Sequence, residues 1–77
     1  MDMTNEERLR ELQKELDEVK EAIRTILGGA QEYRIGSRTV KKPDLGLLYE
    51  ERTRLEREIQ AIIEGGGIFR TVYFEGR

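Results

Sequence analysis

The sequence predicts an α+β fold: two long antiparallel helices joined by a connector that contains a small two-stranded β-hairpin, with an extended C-terminal arm. Three observations carry this. Apolar residues recur at spacings of three and four over residues 9–26 and again over 45–62, the repeat of a helix that buries one stripe. Between them lies YRIGSRTV, Tyr33 to Val40, where β-branched and aromatic residues surround Gly-Ser. Gly28-Gly29 and Gly65-Gly66-Gly67 then punctuate the chain. Residues 1–64 are read as a helix–hairpin–helix domain and residues 65–77 as a glycine-hinged arm or third strand.

The first helix opens at Thr4, with Glu7 three residues on. This is the capping-box spacing, in which hydroxyl and carboxylate each bond the other residue's amide. Leu9, Leu12, Leu16, Val19, Ile23 and Ile26 then follow a heptad seam. Gly28-Gly29 ends the helix, since glycine takes the left-handed conformation that satisfies the last carbonyls. At about 1.5 Å per residue, residues 5–27 form a rod of roughly 35 Å.

The second helix has Pro43 in its first turn, where a missing N–H costs nothing, and Asp44 beside it at the positive end of the helix dipole. Its seam is Leu45, Leu48, Arg52, Leu55, Ile59 and Ile62. Arg52 interrupts the apolar run. Its stem can lie on the seam while its head reaches an acid such as Glu18, or it fixes register or pairs with another subunit. Leu47, Tyr49 and Ile63 widen the stripe beyond the needs of two helices. They predict a third surface, which is the hairpin, the tail or a second subunit. Two helices of matched length joined by a short connector pack antiparallel.

In the connector, Gly36-Ser37 suits a two-residue II′ turn. Ile35 then faces Arg38, Arg34 faces Thr39, and Tyr33 faces Val40. Tyr33, Ile35 and Val40 share one side of the ribbon; Arg34, Thr39 and Lys41 share the other. The apolar side must rest on the helices, because an isolated hairpin is barely stable in water. Packing does not explain why every charged residue from Arg34 to Lys42 is positive. Arg34, Arg38, Lys41 and Lys42 are therefore candidate partner-binding residues, as is Arg52.

The tail, IFRTVYFEGR, holds Ile68, Phe69, Val72, Tyr73 and Phe74 behind the triple glycine. Its strand propensity is high, and left free it would invite aggregation. It is read as a docking arm that adds to a neighbouring subunit's sheet or a partner's, with an intramolecular third strand as the alternative. These five residues complete the candidate partner-binding set.

Composition bounds the chemistry. A chain of 77 residues is one domain and buries a small core, so self-assembly or a partner is the expected supplement. Neither Cys nor His is present, which removes disulfides, thiolate nucleophiles, imidazole bases and nearly every transition-metal site. The glycine clusters lack the Lys and Ser/Thr of a phosphate-binding loop. No enzymatic activity and no cofactor are expected. The net charge of -2 steers only weakly, yet residues 28–43 carry four bases and one acid between two acidic helices. No apolar run approaches a membrane span, and MDMTNEERLR lacks a signal-peptide core, so a cytosol-like compartment is expected. A nucleic-acid role through Arg34, Arg38, Lys41 and Lys42 is the third reading, after a structural component and a coiled-coil adaptor or regulatory dimerisation module.

The order helix, Y-x-I-G-x-R-x-V hairpin, short basic link, then D-L opening a charged helix resembles small tailed-phage head–tail joining proteins of the lambda W type and related short phage proteins. The matching residues are Tyr33, Ile35, Gly36, Arg38 and Val40, followed by Asp44-Leu45. The resemblance runs in order and spacing over residues 5–64. Such proteins carry Ser or Thr three residues before the Asp, where this chain has Lys41, and Pro43 here is inserted in the first turn. The resemblance implies two antiparallel helices with a packed hairpin, and a non-enzymatic role in the virion, assembled in the bacterial cytoplasm. It implies a homo-oligomeric ring under the portal protein, possible monomers in isolation, help in retaining the packaged genome, and a surface for a tail or second connector protein. DNA contact would arise only in the assembled channel. It also implies a C-terminal segment that orders on assembly.

Overall fold

The computed structural model describes residues 4–65. The elements are α1 (Asn5–Leu27), β1 (Glu32–Ile35), β2 (Arg38–Lys41), a 3-10 turn (Lys42–Asp44) and α2 (Leu45–Gly65). This is the predicted α+β architecture, two helices with a two-stranded antiparallel hairpin between them. The tail residues Ile68, Phe69, Val72, Tyr73 and Phe74 lie outside the described residues.

Each element begins and ends for a local reason. The Thr4 hydroxyl accepts from the Glu7 amide at 3.0 Å, and the Glu7 carboxylate accepts from the Thr4 amide at 3.0 Å. Both limbs of the capping box are therefore made. At the other end of α1, the Ala30 N–H donates to the Thr25 carbonyl and the Gly29 N–H to that of Ile26. These two bonds define a Schellman stop. Gly29 makes them possible with φ at 119°, a conformation that side chains resist. α2 runs to Gly65, the first residue of the triple glycine.

The ribbon has the expected register, with Tyr33 opposite Val40, Arg34 opposite Thr39 and Ile35 opposite Arg38, and extends it by one pair, Glu32 opposite Lys41. Gly36 has φ of 61°, and among the described residues none other than glycine has positive φ. Positive φ at the first central position alone distinguishes a II′ turn from I′.

Between β2 and α2 the chain departs from a plain first turn. Pro43 sits in the 3-10 segment, and Lys41, extended at φ -127° and ψ 172°, is its N-cap. The Asp44 carboxylate accepts from the Lys41 N–H at 2.8 Å. Only this return limb of a capping box can exist, because an ammonium has no lone pair to accept with. Lys41→Ser supplies the missing acceptor. It is expected to stabilise the domain by about 1 kcal/mol and to raise Tm by roughly 4–8 °C, read by calorimetry.

The core is one cluster: Leu12, Leu16, Val19, Ala22, Ile23 and Ile26 from α1, Leu48, Leu55 and Ile59 from α2, and Val40 from β2. The antiparallel sense shows at the open end, where Arg8 of α1 reaches Glu58 of α2 at 3.8 Å. Ala22, fully buried, lies off the heptad seam. It stands one turn from Glu18, which lines a cleft with Val19 and Ile35. A small residue there lets the ribbon settle onto α1.

Candidate interaction surface

Among the described residues the hairpin covers one side of the helix pair and nothing covers the other. Ile35 and Arg38 share a cleft with Glu15 and Glu18 of α1 and Glu51 and Arg54 of α2. Thr39, Val40 and Leu47 share a second cleft with Asp44 and Glu51. Those helix residues all lie on the flanks that face the ribbon. Tyr49, Arg52 and Ile63 occupy the opposite edge of α2 by helical periodicity.

This sidedness reassigns two of the cations. In the observed register Arg38 falls on the same side as Tyr33, Ile35 and Val40, because residues opposite each other point the same way. Its guanidinium bonds the Glu51 carboxylate at 3.0 Å. Arg38 thus clamps the hairpin to α2, and the outer surface loses it. A bond of this kind between half-exposed groups is worth at most about 1 kcal/mol, so it positions more than it stabilises. Arg52 does not reach Glu18. It lies 5.2 Å over the Tyr49 ring, a cation–π contact. Glu18 faces the ribbon while Arg52 and Tyr49 face away, so the helix pair separates them.

Arg34 and Lys41 remain on the outer side and Lys42 follows in the 3-10 turn, all three exposed. Glu32 stands opposite Lys41, but among the described residues none of these three cations forms an ion pair. Sequence reasoning placed Arg34 and Lys41 correctly. It missed the inward direction of Arg38, which the alternation of the ribbon already contained. It also missed the stacking of Arg52, although Tyr49 three residues earlier was a legible signal.

Two further features belong to the surface. Leu27, 60% exposed, and Tyr49, 37% exposed, project from the helices, and Leu47 is 59% exposed beside β2. No described helix is long and apolar enough to cross a membrane.

The chain belongs to the DUF6148 family, a family of unknown function, whose model matches residues 1–73. No curated protein and no solved structure matches it.

Proposed function

We propose that this member of the family is a structural virion component: a head–tail joining protein that assembles as a ring under the portal of a tailed phage. There it helps retain packaged DNA and offers a docking surface to the next connector or tail protein. Its partners are other copies of itself, the portal protein and that next protein. DNA contact is confined to the assembled channel, and the role is not enzymatic. Assembly takes place in the host bacterial cytoplasm.

The observation that carries this reading is the outer side of the hairpin. Lys41 and Lys42 stand at the N-terminal end of a helical segment, where the dipole disfavours cations. Lys41 also occupies a cap position that a hydroxyl would serve better. Local energetics therefore oppose positive charge at this place, and no intramolecular ion pair offsets it among the described residues. An acidic partner outside the chain accounts for such a surface. The order and spacing of helix, hairpin and helix support the same reading through the resemblance at Tyr33, Ile35, Gly36, Arg38, Val40, Asp44 and Leu45.

The triple variant Arg34→Glu/Lys41→Glu/Lys42→Glu tests it. With portal protein present, native mass spectrometry and electron microscopy are expected to show rings for the parent chain and none for the variant, both keeping helical circular dichroism. A variant that still forms portal-bound rings removes the cationic side from the interface. The second reading, a coiled-coil adaptor or regulatory dimerisation module, draws on Leu27 and Tyr49 on the bare side of the helices. It predicts a dimer at every concentration, with no larger species even when portal is added.

A further inference from the structure

The pair that closes a two-residue hairpin turn exchanges both hydrogen bonds, and bonded and non-bonded pairs then alternate. Ile35–Arg38 and Tyr33–Val40 are therefore the bonded pairs of this register. The N–H and C=O groups of Thr39 and Lys41 point away from β1. Lys41 conforms, since its N–H is taken by Asp44 at 2.8 Å. Thr39 is exposed, and among the described residues no bond from outside the ribbon reaches its backbone.

Leu47 stands beside this edge, 59% exposed. Thr39, Asp44, Leu47 and Glu51 line one cleft of about 240 Å³. Among the described residues this strand edge is unpaired, and it lies next to an exposed leucine and the Asp44 carboxylate, Glu51 being engaged by Arg38 of the same cleft. Such an edge is a seat for an apolar strand that carries a cation. The sequence contains such a segment in residues 68–74, IFRTVYF, whose only charge is Arg70.

We propose that the β2 edge of one copy, at Thr39 and Leu47, receives residues 68–74 of a second copy as an added strand. This rests on the assembly reading above and names the contact by which one subunit holds the next. The segment of the same chain serves the site poorly. From Leu47 to Gly65, α2 is about 27 Å long, while Phe74 can stand at most about 31 Å beyond Gly65. Only the end of the run reaches Leu47 within one chain, and there it runs parallel to β2, the weaker pairing. A segment arriving from another copy is free of both constraints. Donor and acceptor are different surfaces of one chain, so the contact is head-to-tail. It propagates from copy to copy and closes into a ring where the rotation permits.

The chain has no cysteine, so a spin label on Glu75→Cys is site-specific. Full-length labelled chain is mixed with full-length ¹⁵N chain that carries no label, at concentrations where sedimentation detects association. Amide broadening is expected at Ser37, Thr39 and Leu47. Thr39→Pro and Leu47→Asp are each expected to weaken association by about tenfold or more. Proline at Thr39 removes an N–H that the ribbon does not use, and aspartate at Leu47 suits the first turn of a helix. Leu47→Asp alone decides if Thr39→Pro loses its helical signal. Association of undiminished strength in the variants, or broadening on another face, overturns this contact and leaves the assembly reading standing. Broadening at Ser37, Thr39 and Leu47 in dilute chain carrying both label and ¹⁵N establishes an intramolecular strand and also overturns it. A chain that stays monomeric at every concentration, with portal or without, overturns both.

Discussion

Leu48→Ala is expected to destabilise the domain by about 3 kcal/mol, and Leu47→Ala, one residue earlier, by less than about 0.5 kcal/mol. Urea unfolding followed by circular dichroism measures both. Leu48 is fully buried, as is Ile26, and Leu55 is 1% exposed. Leu48 also shares a cleft with Thr39 and Val40, so it stands where α2 meets both α1 and β2. Truncation removes the side chain and leaves a cavity at a three-way contact that cannot easily collapse. Total stability for a domain of this size is a few to about ten kcal/mol, so the loss is a large share of it. At roughly 4–8 °C per kcal/mol, Tm should fall by more than about 10 °C. Equal effects at the two positions would mean that α2 does not present the face described.

The helices were legible because their signals are local. Thr4 and Glu7 specify a start within one turn, and the heptad spacing from Leu9 to Ile26 specifies a buried stripe. The register of the ribbon was legible for the same reason, since Gly36-Ser37 permits few two-residue turns. What stayed hidden depends on which side of the helix pair the ribbon lies. Ala22 is core although it lies off the heptad seam, on the flank of α1 toward Glu18 and the ribbon, and no period of α1 alone announces that. The direction of Arg52 follows from the same fact: Glu18 lies on the covered side and Tyr49 on the bare one. Arg38 was a different kind of miss. Its side of the ribbon follows from pairing with Ile35, yet positive charge suggested solvent, and the Glu51 carboxylate that draws it inward belongs to a distant turn of α2. The candidate surface was therefore narrowed, from four cations to Arg34, Lys41 and Lys42, by a partner the sequence could not place.

Val40→Asp tests whether that one-sided ribbon holds the fold together. Val40 is 4% exposed and is the only hairpin residue in the buried cluster. The introduced carboxylate would be enclosed by Leu48 and the α1 stripe. The one cation on its side of the ribbon, Arg38, is already engaged by Glu51. An unpaired buried charge costs several kcal/mol unless the structure opens to hydrate it. Opening here means lifting the ribbon, which exposes Ala22, Ile26 and Leu48 together. Val40→Asp is therefore expected to abolish hydrogen-exchange protection in residues 33–40 and to cost more than about 3 kcal/mol, enough to unfold much of the population. The control is Thr39→Asp. Its side chain points outward on the same strand, and the expected cost is under about 1 kcal/mol, set by strand preference alone. A shift of one residue thus separates an intact domain from a failing one, since alternation puts neighbours on opposite faces. If both variants retain protected hairpin amides, the ribbon is dispensable to the core. The cationic outer side would then lack the rigid mount that a partner surface needs.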